Sequence, residues 1–82
     1  MNFTDTDEPV KVAAVFEGGK ISPKWFVRNG RKYTVKQTDF VWNEKQGTQE
    51  LVNFSVSADV ITAELSFNKK LLTWHIRKII TE

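Results

Sequence analysis

Cysteine is absent from this 82-residue chain, histidine occurs once, and proline and glycine occur only two and four times. Without cysteine there are no disulfides, thiolate zinc sites, iron–sulfur clusters or cysteine nucleophiles, a composition that fits a reducing compartment. A single imidazole, His75, rules out a site built on two histidines, and any Ser–His–Asp arrangement would have to form around it. No apolar run approaches the roughly 20 residues of a membrane-spanning helix. The acidic start, with Asp5, Asp7 and Glu8, is unlike a signal or transit peptide. The expectation is one small cytoplasmic domain with no membrane contact.

Charge is unevenly distributed. Lys and Arg number 12 against 10 Asp and Glu, a formal net charge of +2. Residues 1–9 (MNFTDTDEP) hold three of the acids, and their polarity and closing Pro9 read as a flexible acidic tail. The remainder, 10–82, keeps 12 bases against 7 acids and is expected to fold as a single small β domain.

From Val10 onward the chain is punctuated like β structure. Residues 10–16 (VKVAAVF) end at Gly18-Gly19. Asn29-Gly30, between 24–28 and 31–39, is the strongest local signal, since Asn-Gly accepts the positive φ angles of a two-residue type I′ hairpin turn. In 51–57, 60–67 and 72–77 apolar residues recur at every second position, the pattern of half-buried antiparallel strands. The end of the chain is ambiguous: Leu72, Ile76, Ile79 and Ile80 would also line one stripe of a helix. Its β-branched and aromatic residues favour a strand, with a short C-terminal helical turn allowed.

Five to six short strands would leave two raw edges, so an all-β fold is expected, either a small antiparallel barrel or a coiled roll. The expected core is Val12, Val15, Phe26, Tyr33, Val35, Trp42, Val52, Phe54, Val56, Ile61, Leu65, Phe67, Leu72, Trp74 and Ile76. Pro23, Phe26, Gly30, Tyr33, Val35 and Trp42, followed by Trp74-His75-Ile76, resemble the pattern of a family of small uncharacterised bacterial β-rich domains. The resemblance covers about half the chain and implies an all-β fold without implying an activity. Arg28 departs from it, standing where that family tends to place a second aromatic residue.

No catalytic set, metal site or cofactor is expected. His75 falls on the outward phase of its segment, and the acids from Glu17 to Glu64 are scattered. Gly18-Gly19-Lys20 lacks the spacing of a phosphate-binding loop. The segment from Gly18 to Gln37 is different, with six basic residues and no acid. With Asn29-Gly30 as the loop, Arg28 faces Arg31, Val27 faces Lys32, Phe26 faces Tyr33 and Trp25 faces Thr34. Lys24, Trp25, Arg28, Arg31, Lys32 and Lys36 then form the candidate surface. An aromatic ring beside a basic strip is what binding of single-stranded DNA or RNA requires. The same lysines would also shield a sheet edge, and the acidic start could neutralise them. The alternative is a protein-interaction or adaptor module using an exposed Trp25 and an edge strand.

Overall fold

The protein is described here by a computed structural model covering residues 2–81. Among these residues eight strands form: β1 (Asn2–Pro9), β2 (Lys11–Glu17), β3 (Lys20–Arg28), β4 (Arg31–Thr34), β5 (Gln37–Gln46), β6 (Gln49–Ala58), β7 (Ile61–Asn68) and β8 (Thr73–Thr81). They make two antiparallel sheets. One has three strands in the order β2-β3-β4, the other five in the order β1-β8-β7-β6-β5.

The turns follow local chemistry. Asn29 and Gly30 both take positive φ (52° and 76°), completing the type I′ turn that Asn-Gly favours. The strand pairs it sets are those expected from the sequence: Arg28 with Arg31, Val27 with Lys32, Phe26 with Tyr33 and Trp25 with Thr34. Between β7 and β8 the chain makes a longer turn. The Asn68 side-chain oxygen accepts from the amides of Lys70 and Leu71, and the Leu72 amide donates to the Asn68 carbonyl.

Both sheets turn one face inward onto a shared core. Val52, Phe54 and Val56 of β6 lie opposite Phe67, Leu65 and Ala63 of β7, and Ile76 and Ile79 of β8 continue the layer. Phe26 of β3 completes it from the other sheet, fully buried and stacked on Tyr33 at 5.1 Å. A bulge at Lys24 changes the phase of β3, so that Pro23 is buried and Ile21 joins Phe26 against the core. Trp74 packs between Phe54 (5.5 Å) and Phe67 (4.9 Å).

Three of the expected core residues are on the surface. Val15 stands three positions from Val12, so on a regularly alternating strand the two face opposite sides, and Val12 is the one that packs inward. Trp42 pairs with Asn53 across the β5–β6 ladder and so shares its outward face. Leu72 belongs to the β7–β8 turn, with φ of 58° and 71% exposure, rather than to β8.

The architecture also differs from expectation in its edges. The chain crosses between sheets at Val10, whose amide donates to Trp74, and at Val35-Lys36, whose amides donate to Lys24 and Ser57. Each of these bonds lies at the end of a ladder within one sheet (β1–β8, β3–β4 and β5–β6), and among the described residues β1, β5, β2 and β4 each pair on one side only, so no closed barrel forms. No helical turn appears at the C-terminal end, where β8 runs to Thr81. The segment read as an acidic tail is strand β1, hydrogen-bonded antiparallel along β8. Among the described residues no helix is long and apolar enough to cross a membrane.

Candidate functional site

The β3–β4 hairpin carries the basic residues singled out in the sequence, and most of them already have partners within the chain. The Arg28 Nε donates to Glu8 Oε1 at 2.7 Å, joining the hairpin to β1. Lys36 Nζ lies 3.4 Å from Asp59 Oδ1. The Arg31 guanidinium sits 4.9 Å over the Tyr33 ring, and Lys32 Nζ sits 4.8 Å over Trp25. The like-charge pairing of Arg28 with Arg31 is thus relieved, one side chain by a carboxylate and the other by an aromatic face. Trp25 is half-buried beneath its lysine rather than open as a platform. Lys24, on the bulge, is exposed. Three of the six residues, Trp25, Arg31 and Lys32, therefore pair aromatic with cation on the hairpin. Arg28 and Lys36 are drawn away into ion pairs.

A second cluster, not anticipated from the sequence, covers the outward face of the five-stranded sheet. Glu44 of β5 is its hub. It accepts from Asn53 Nδ2 at 2.8 Å, from Gln46 Nε2 at 3.0 Å and from Arg77 Nη1 at 3.0 Å. The Asn53 bond first, then Gln46, and with them the charge of Arg77, hold this carboxyl below the usual carboxylate range against an opposing effect of burial. A bulge in the β7–β8 ladder at Arg77 lets its long side chain run from β8 to Glu44. It does so across the intervening strands, whose outward Asn53 and Ser66 are small and buried. Among the described residues Asn53 Oδ1 meets no hydrogen-bond partner.

Beyond this strap His75 Nδ1 lies 2.9 Å from Asp7 Oδ1 of β1, and Ser66 faces His75 across the β7–β8 ladder. Asp7, Gln49, Ser66, Asn68, His75 and Arg77 help line an open cleft of about 260 Å³. Serine, imidazole and carboxylate thus occupy three adjacent strands, but His75 bonds to Asp7 and not to Ser66. Among the described residues, no group of three His, Asp or Glu side chains could hold a metal ion. The sequence carried a partial signal for this cluster, since its members from β6 to β8 all sit at outward positions of alternating strands. The bond from Asn53 to Glu44 is local to the β5–β6 hairpin, whereas those of Arg77 to Glu44 and of His75 to Asp7 depend on ladder order, which local sequence does not encode.

The third feature is β5 itself. It is ten residues long, closes one end of the five-stranded sheet and, among the described residues, pairs only with β6. At its centre Phe40, Val41 and Trp42 are 69%, 57% and 38% exposed. Three consecutive exposed apolar residues on an open ladder are what natural edge strands usually avoid. No family model, curated protein or solved structure matches the chain.

Proposed function

We propose that this domain is a protein-interaction module whose binding element is the open edge of β5. The observation that carries the reading is the coincidence of a free backbone edge with the exposed Phe40-Val41-Trp42 triplet. Strand addition draws affinity from backbone hydrogen bonds along such an edge and specificity from side chains at alternate positions. Here Phe40 and Trp42 would read one face of an incoming strand and Val41 the other. The adaptor surface therefore moves from Trp25, which is half-covered by Lys32, to Trp42.

Selection from a displayed library of random peptides about twelve residues long tests this. The expected binders are extended, with apolar residues at alternate positions. Their binding should be lost on Val41→Lys and should change little as salt is raised from ~20 mM to ~500 mM, because no counterions are released. Binders that ignore the β5 substitution would overturn the reading.

One set of contacts favours a second reading, single-stranded nucleic acid on the hairpin. Lys32 over Trp25, Arg31 over Tyr33 and the exposed Lys24 leave about three cations beside two aromatic rings. At roughly −0.7 per phosphate contact, the log–log salt slope would be about −2. Fluorescence anisotropy with a short oligonucleotide at ~20 mM salt measures it, and no binding there refutes this second reading.

A further inference from the structure

We infer that the strand received by β5 is β5 of a second copy of this chain, in a two-fold antiparallel pair centred on Val41. The inference rests on the edge-strand reading above and identifies its partner.

Backbone phase comes first. The β5–β6 turn is Gly47-Thr48, with Gly47 at φ 62° and Thr48 not in the positive-φ region, the arrangement of a type II′ two-residue turn. The residues flanking such a turn, Gln46 and Gln49, exchange backbone bonds with each other. Alternation then assigns Glu44 and Trp42 to the β6 ladder. The N–H and C=O groups of Lys45, Asn43 and Val41 consequently point away from the sheet, toward an incoming strand.

Side chains then select the register. Centred on Val41, an antiparallel self-pair sets Val41 against its own copy, and sets Phe40 against Trp42 twice, once on each side of the axis. Aromatic–aromatic cross-strand pairs are among the favourable ones. Moving the centre to Trp42 would set Phe40 against Glu44, and moving it to Asn43 would set Val41 against Lys45. Both place a charge against an apolar side chain. The bulge near Asp39 and the charge at Lys45 bracket the usable edge from both sides. Between them lie residues 40–44, of which Phe40-Val41-Trp42 is the self-complementary part. A two-fold contact of this kind is isologous and closes at two copies. The two five-stranded sheets would join into one.

Sedimentation equilibrium of the full chain, from ~5 µM to ~1 mM, provides the test. The expected average mass rises from 9.5 kDa toward twice that value, with a midpoint on the order of 100 µM for so small a contact. Val41→Lys, which brings two ammonium groups face to face, should shift the midpoint upward at least tenfold. Val15→Lys, an exposed change on β2, should leave it unmoved. If Val41→Lys does not fold by circular dichroism, Phe40→Thr combined with Trp42→Thr at outward positions serves in its place. Dimerisation unaffected by these β5 changes would overturn the inference, as would a monomer at ~1 mM. In the monomer case a synthetic peptide spanning Thr38 to Glu44 separates the two claims. Its binding would leave β5 as a strand receptor for some other partner, and its failure to bind would remove the edge-strand reading as well.

Discussion

Replacing Trp74 by alanine should remove a large part of this domain's stability, and the size of the loss follows from where the ring sits. Trp74 is half-buried between Phe54 and Phe67, with centroid distances of 5.5 and 4.9 Å. Burying about half of a ~200 Å² aromatic surface contributes roughly 2.5 kcal/mol at ~25 cal/mol per Å². Two ring pairs add about 0.5–1 kcal/mol each. The expected cost is therefore about 3.5–4.5 kcal/mol. For a domain of this size that corresponds to a fall in Tm of roughly 14–36 °C. The hydrogen bond from Val10 to the Trp74 carbonyl survives the substitution because it involves only backbone. Trp42→Ala is the internal control. Its ring lies on the outward face of the edge strand, so its loss should cost less than about 1 kcal/mol. Thermal and guanidinium denaturation of both variants measure the difference. If Trp42→Ala proved the more damaging, the inward and outward assignments of β5 and β8 would be wrong.

Other perturbations probe the turns and the charged clusters. Gly30→Val should destabilise by about 1–2 kcal/mol, because nothing crowds its Cβ and the whole penalty is the positive φ of 76°. Leu72→Gly should be neutral or stabilising by up to about 1 kcal/mol, since an exposed leucine held at φ 58° gives up strain and little burial, which chemical denaturation will resolve. Glu44 is depressed in the folded state, so its contribution is complete above the ordinary carboxylate value of 4.5 and is lost as pH falls through its lower folded value. Glu44→Gln should therefore lower stability at neutral pH and flatten the acid limb of a stability-versus-pH profile; an unchanged limb would refute the role of this carboxylate. Glu8→Gln should free Arg28 and steepen any oligonucleotide salt slope from about −2 to about −3, and an unaltered slope would show that Arg28 does not reach the ligand.

The parts of this fold that could be read from sequence are those governed by neighbours along the chain. Asn29-Gly30 sets four cross-strand pairs by turn chemistry alone, and alternation from 51 to 67 gives both the strands and the buried face. Errors arise where a single residue alters phase. The bulge at Lys24 brings Pro23 inward, the long β7–β8 turn removes Leu72 from its strand, and Trp42 takes the outward face with Asn53. Strand β1 was hidden for a different reason. An edge strand rich in acids has little apolar alternation to reveal it, and its partners lie far along the chain. Asp5 pairs in register with Lys78, Asp7 bonds His75 and Glu8 bonds Arg28.

Pairing of Asn2–Pro9 as strand β1 changes the electrostatics of the surface. Counting the body without its first nine residues gives an excess of five positive charges, but those three acids are part of the folded surface, where Glu8 contacts the Arg28 guanidinium and Asp7 the His75 ring. A basic segment in sequence is therefore not a basic patch in space: Arg28 answers to β1 and Lys36 to Asp59. These exposed or half-exposed pairs each contribute about 1 kcal/mol or less to stability. Their larger effect is on binding, because an anionic ligand must compete with carboxylates already in place. Among the described residues β5 has no partner strand on its outer side, and its Phe40-Val41-Trp42 triplet is exposed. The hairpin cations are thus largely met within the chain, whereas Phe40, Val41 and Trp42 at the centre of β5 are exposed, the contrast on which the proposed strand-binding edge rests.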